Sequence, residues 1–233
     1  MGIDLSQITA IGFDADDTLW VNETYFRQTE EAFGMLLSAY ETPNQIDQLL
    51  FLKEMENLPK YGYGIKGFVL SMIECALEVS RGKISYDDLN QILQWGKDMI
   101  EHPVELLPGV PEVLATLSKT HRLLVLTKGD LLDQERKLAR SGLDPFFHHV
   151  EVLSDKQPQN YQGLLDHLAI DPKNFLMVGN SIKSDILPVL SIGGQAVHIP
   201  FHTTWQHELV TPSDGDTFFT IDQMLDLLPL LKR

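Results

Sequence analysis

Cysteine is almost absent. Cys75 is the one cysteine in 233 residues. No disulfide can form within the chain, which suggests a reducing, cytoplasmic setting. No apolar run approaches the roughly 18 to 20 residues of a membrane span, and the first residues show no signal-peptide pattern. Positive charge is also scarce: 18 Lys and Arg stand against 33 Asp and Glu, a formal net charge of -15. That balance argues against unassisted nucleic-acid binding. The only basic stretches, Arg136 to Arg140 and Lys232-Arg233, are short, and the first reads as the solvated face of a helix. Internal repeats and low-complexity segments are missing too. Two short matches read as chance. Met1-Gly2 followed by Ser6 fits a loose myristoylation pattern without a basic patch. Asn22-Glu23-Thr24 fits a glycosylation acceptor in a chain with no other sign of secretion.

What remains is an ordinary globular composition, 43% hydrophobic and 22% charged. The length is generous for one compact domain and small for two full ones, so a core with a smaller insert fits. Short apolar runs at 8–13, 122–127, 149–153, 175–179 and 196–201 read as buried strands. Helical patterns lie between them. Pro111 to Lys119 puts Val113, Leu114 and Leu117 on one face, Leu131 to Ser141 stops at Gly142, and Pro158 to Ala169 carries Tyr161, Leu164, Leu165 and Leu168 as one stripe. Strand and helix in alternation indicate an α/β fold, a Rossmann-like core with a mostly parallel sheet. Residues 21–104 differ: apolar residues recur there at helical spacing with no convincing strand, and Ser85 with Asp88 reads as a helix N-terminal cap. The expected organisation is a core of 1–20 plus 105–233, interrupted by an all-helical insert of about four helices at 21–104.

The first strand ends in IGFDADDTLW, three acids in four residues: Asp14, Asp16 and Asp17. Carboxylates this close repel one another and lose hydration if buried, so something positive must balance them. In a parallel sheet, ligands bind beyond the carboxyl ends of the strands. Those ends carry Asp14 and Asp16, then Thr127-Lys128, then Asp155-Lys156, then Asn180, Ser181, Ser184 and Asp185. Thr127 to Lys156 and Lys156 to Asp185 are each 29 residues, close to the roughly 30 that one strand–helix unit takes. The spacing therefore returns to one edge each time. Acids, hydroxyls and lysines gathered there suit a hard cation such as Mg²⁺ and a phosphoryl group. Asp14 and Asp185 could share the cation. One carboxylate could attack phosphorus, and a second, two residues on, could act as acid and then base.

These four segments, in order, resemble the motifs of the haloacid dehalogenase superfamily over essentially the whole chain. Asp14-Ala15-Asp16-Asp17-Thr18 matches its Asp-x-Asp-x-Thr, Thr127 its Ser/Thr, Lys156-Gln157-Pro158 its lysine with a trailing proline, and Gly179-Asn180 through Asp185 its acidic pair. The resemblance implies a Mg²⁺-dependent phosphomonoesterase with a helical cap, acting on a small phosphorylated substrate. It implies Asp14 as nucleophile forming an aspartyl phosphate, and Asp16 as general acid and then base. Asp14, the Asp16 carbonyl and Asp185 would hold the metal. Thr127 and Lys156 would grip phosphoryl oxygens, helped by the N–H of Lys128. Asn180 departs from the pattern, since an acid often stands there; weaker Mg²⁺ binding is expected, with Asn180 reaching the ion through water.

Asp17 reads as a turn or cap acid. YGYGIKGF, 61–68, reads as a flexible loop that as a whole could set specificity. The eight histidines suggest no metal site, and Trp20 reads equally as pocket wall or core. The alternatives are a sugar phosphomutase, another hydrolase of the superfamily, or a non-catalytic phosphate-binding protein. The resemblance leaves the substrate and the oligomeric state open.

Overall fold

A computed structural model describes residues 5–213 and 215–232. The Met1-Gly2 pattern and Arg233 lie outside the described residues. The chain divides into two compact units: Met1–Glu23, Val104–Lys128 and Arg136–Arg233 in the first, Thr24–Pro103 and Gly129–Glu135 in the second.

The first unit is built on a six-stranded parallel sheet of order β3-β2-β1-β4-β5-β6. Its strands are β1 (Ala10–Phe13), β2 (Arg122–Lys128), β3 (His149–Leu153), β4 (Phe175–Gly179), β5 (Gln195–His198) and β6 (Phe219–Thr220). This is the order found generally in doubly wound sheets, whose ligand crevice opens where the order reverses, between β1 and β4. β1 and β4 are buried at every residue, as strands covered by helices on both faces must be. The helices are α5 (Val110–Leu117), α6 (Leu131–Ser141), which begins in the second unit, α7 (Pro158–His167), α8 (Leu187–Ser191) and α9 (Leu227–Leu231). Two apolar clusters fill the spaces beside the sheet. Phe13, Val113, Leu114 and Val178 belong to one, and Leu126, Tyr161, Leu165 and Phe175 to the other.

Several sequence expectations change, among them the run at 8–13, which is a strand only over Ala10–Phe13. The run at 196–201 is a strand only over Gln195–His198, because Pro200 cannot donate to a ladder. β6 is an additional strand of two residues, too short for any periodicity to announce.

The second unit is helical: α1 (Glu23–Leu36), which starts at the last residue of the first unit, α2 (Pro43–Tyr61), α3 (Ile65–Val79) and α4 (Tyr86–Glu101). Phe33, Leu37, Ile46, Leu50, Phe68, Met72 and Ile92 form its core. Ser85 Oγ accepts from Asp88 N at 3.0 Å and caps α4, as the sequence suggests. The stretch 61–68 is not one loop. Tyr61 closes α2, Ile65 opens α3, and only residues 62–64 connect them. Gly62 and Gly64 take positive φ, 73° and 102°, conformations that glycine adopts at little cost. Gly67, which reads in sequence as a third flexible point, lies inside α3, where a Cβ would stand 2.7 Å from the Gly62 carbonyl oxygen. It is there for close packing. Lys66 Nζ meets both carboxylate oxygens of Asp130 at 2.9 Å within this unit.

Candidate active site

Every residue of the candidate site belongs to the first unit. Asp14 follows β1 directly, and its N–H donates to the Val178 carbonyl at 2.9 Å, extending the β1–β4 pairing into the crevice. Lys156 comes from the turn after β3, and Asp185 from a one-turn π-helix, Ile182–Ile186, after β4. The three meet. Lys156 Nζ donates to Asp14 Oδ1 and, at 2.6 Å, to Asp185 Oδ1. All three side chains are buried. Asp185 Oδ2 accepts from Ser181 N at 2.9 Å. Gly179 makes room for it, since a Cβ at 179 would fall 2.3 Å from that same oxygen.

Two carboxylates share one ammonium, so the bridge carries an excess negative charge. Burial pushes the Asp14 carboxyl up to about 7; Lys156 opposes that rise and Asp185 adds to it. Burial works against the charge on Lys156, but Asp14 and Asp185 outweigh it and hold the ammonium well above its ordinary value. Thr18 Oγ1 lies 3.2 Å from Asp14 Oδ2 and 3.4 Å from Asn180 Oδ1, so one hydroxyl is shared between the first motif and the fourth.

Asp16 points elsewhere. Its Oδ1 accepts from Trp20 Nε1 at 2.7 Å and from Lys137 Nζ at 2.6 Å. Trp20 is 1% exposed and belongs to the core, with its ring nitrogen turned to the acid. Asp17 caps α1: its carboxylate accepts from the N–H groups of Asn22 at 2.8 Å and Glu23 at 3.0 Å. Thr127 is buried at the end of β2, and its hydroxyl turns to the Lys128 carbonyl at 3.2 Å.

Lys128 is directed away from a substrate role through its side chain. Its Nζ lies 2.6 Å from Glu208 Oε1 and 2.8 Å from Ser184 Oγ. Glu208 Oε2 in turn accepts from Ser181 Oγ at 2.6 Å and Ser184 Oγ at 2.5 Å. This ties the 206–208 turn to the segment that carries Asp185. Nothing in the sequence marks Glu208, a lone acid in an aperiodic stretch and 80 residues from Lys128. Lys137 is a second residue that the sequence hides. The solvated face expected at Arg136 to Arg140 holds a lysine only 16% exposed and bonded to an acid 121 residues earlier.

Burial acts to raise the Glu208 carboxyl, but the Lys128 charge and the bonds from Lys128, Ser181 and Ser184 win, and it falls from 4.5 to about 2. A depressed acid stabilises the fold above its ordinary value, and that stability is lost as pH drops from about 4.5 toward 2. Glu208→Gln is therefore expected to cost on the order of 3 kcal/mol at pH 7. Urea unfolding should show the gap to wild type narrowing toward pH 3. A gap that stays constant with pH would refute the assignment.

Among the described residues, no three His, Cys, Asp or Glu side chains form a ready-made metal cage. Mg²⁺ does not require one, because it keeps several waters and commonly takes one or two carboxylates. Asp14 and Asp185 fit that demand: both are oxygen donors, both face the same ammonium, and the pair carries uncompensated negative charge.

The sequence profile of the haloacid dehalogenase-like hydrolases matches residues 8–193. The chain belongs to that family. The hydrolase is of its phosphatase type. It is similar to a solved haloacid dehalogenase-like hydrolase from Xanthomonas campestris, at 39% identity and a TM-score of 0.80 over 89% of this chain and 87% of that one. It is 25% identical to the mouse N-acylneuraminate-9-phosphatase over 82% of each chain. It is also 25% identical to the glyceraldehyde 3-phosphate phosphatase of Methanothermobacter thermautotrophicus, over 96% of this hydrolase and 100% of that relative.

Proposed function

We propose that this hydrolase is a Mg²⁺-dependent phosphomonoesterase that works on a small phosphorylated metabolite through an aspartyl phosphate on Asp14. The observation that carries the reading is the buried bridge of Asp14, Lys156 and Asp185, contributed by three different strand ends. A nucleophile, a cation for phosphoryl oxygens and a metal-competent acid stand at one point.

In the first step an Asp14 carboxylate oxygen attacks phosphorus and the bond to the ester oxygen breaks. Asp16 gives its proton to the departing oxygen. In the second step Asp16, now a carboxylate, takes a proton from water as that water attacks the phosphorus of the aspartyl phosphate. Asp14 is regenerated and phosphate leaves. Lys156 restrains Asp14 and, with the Thr127 hydroxyl and the Lys128 N–H, holds the phosphoryl oxygens. Asp14, the Asp16 carbonyl and Asp185 would hold Mg²⁺, with Asn180 reaching it through water. When bound, the ion supplies positive charge to the phosphoryl oxygens and lowers the Asp14 carboxyl from its raised value. The resemblance implies a helical cap that excludes water, and the helical unit is the segment that matches that insert.

The two named relatives are phosphatases for different compounds, so substrate choice needs a panel. The test is phosphate release from p-nitrophenyl phosphate, N-acylneuraminate 9-phosphate and glyceraldehyde 3-phosphate, with Mg²⁺ and with chelator. Release that requires Mg²⁺ is the expected result. Phosphate binding without turnover of any ester would overturn the reading.

A further inference from the structure

The phosphatase reading gives Asp16 a proton to deliver but leaves open what aims it. The geometry points to Lys137 as a positioning residue for Asp16, acting from α6 in the first unit. This inference rests on the proposed role of Asp16. Lys137 Nζ lies 2.6 Å from Asp16 Oδ1 and 3.2 Å from Asn22 Oδ1, and Trp20 Nε1 reaches the same Asp16 oxygen at 2.7 Å. Two N–H donors on one oxygen fix the rotation of the carboxylate about its own axis.

Trp20 is buried in the core. Lys137 is anchored through α6, which packs Leu138 into the same core. The acid is therefore held from two directions by side chains that are themselves held. Asp16 and Lys137 remain 23% and 16% exposed, so an ion pair there contributes little stability by itself. Its effect lies in aim. Misplacing a reacting group by about 1 Å can cost on the order of 100-fold in rate.

A residue that aims the general acid matters only where the leaving group needs a proton. An alkoxide leaves badly unless it is protonated as the P–O bond breaks. A p-nitrophenolate leaves without help. kcat/KM reports the steps up to that departure and omits the later hydrolysis of the aspartyl phosphate, which is common to both esters. For Lys137→Met, kcat/KM on an alkyl phosphate such as glycerol phosphate is expected to fall roughly 10- to 100-fold. On p-nitrophenyl phosphate it should fall less than about threefold, and Lys137→Arg should restore most of the alkyl rate. In an Asp16→Asn background, Lys137→Met should leave the ratio of the two esters unchanged. Should Lys137→Met fail to fold, Trp20→Phe removes the other donor and is expected to shift the ester ratio the same way. An equal loss on both esters, or none on the alkyl ester, overturns the role of Lys137 and leaves the phosphatase reading standing. Wild type that turns over neither these esters nor any of the substrate panel overturns both.

Discussion

Asp14→Asn is expected to abolish turnover, by on the order of 10⁴-fold or more, without loosening the fold. The amide keeps the shape and an oxygen for Lys156 to bond. It lacks the negative charge that must attack phosphorus. The fold should gain from the change. Burial, with Asp185 adding to it, raises the Asp14 carboxyl to about 7 despite Lys156. A raised acid favours its protonated form in the folded chain. Its contribution to stability therefore falls as pH climbs from its ordinary 3.8 toward 7. The asparagine cannot ionise and escapes that loss. Without divalent ions, the variant should melt no lower than wild type at pH 8, and its advantage should shrink toward pH 5. Melting curves at the two pH values, with mass analysis for a phosphorylated Asp14 in wild type only, test both halves. A phosphorylated form of the asparagine variant would place the nucleophile elsewhere.

Lys156→Met is expected to have the largest effect on stability. Lys156 is 2% exposed, and its ammonium separates two buried carboxylates. Removing one partner of a buried ion pair typically costs about 3–5 kcal/mol, because the other charges stay behind uncompensated. Here two stay behind. The cost should be greatest at pH 8, above the raised value of Asp14, and smaller near pH 5, where a proton on Asp14 can replace the lysine. Mg²⁺ should restore part of the lost melting temperature, and restore more in the variant than it adds to wild type, since the ion supplies the missing positive charge. Denaturant titrations at pH 5 and 8 decide the matter. A loss independent of both pH and Mg²⁺ would mean that Lys156 serves packing alone.

Much of this site is legible in the order of the residues alone. β1 ends where its apolar run meets acids, and equal spacing returns Thr127, Lys156 and Asp185 to one edge of the sheet. Local chemistry is just as legible at Ser85 and Gly142, where cap and stop act within a few residues. The rest is long-range or depends on packing. Lys137 meets Asp16 across 121 residues, and Glu208 meets Ser184 across 24. No periodicity carries such pairs. Gly67 misleads for a related reason. A glycine that lets two backbones approach and a glycine that lets a chain bend look alike until a neighbour is seen.

The parallel order of the sheet also governs when the chain can fold. β1 precedes the other strands of the sheet and lies near its middle, yet Ala10 pairs with Arg122 on one side and Phe175 on the other. An apolar strand of four residues must wait for partners more than a hundred residues away. The entropy of closing those long loops is spent before the ladder returns anything. Asp14 and Asp16 therefore precede in the chain the other strand ends that gather at this edge. Asp14 joins Lys156 only when β1, β2 and β3 are paired, and Asp185 joins that bridge only once β4 docks. Assembly of the charged edge is therefore tied to assembly of the sheet.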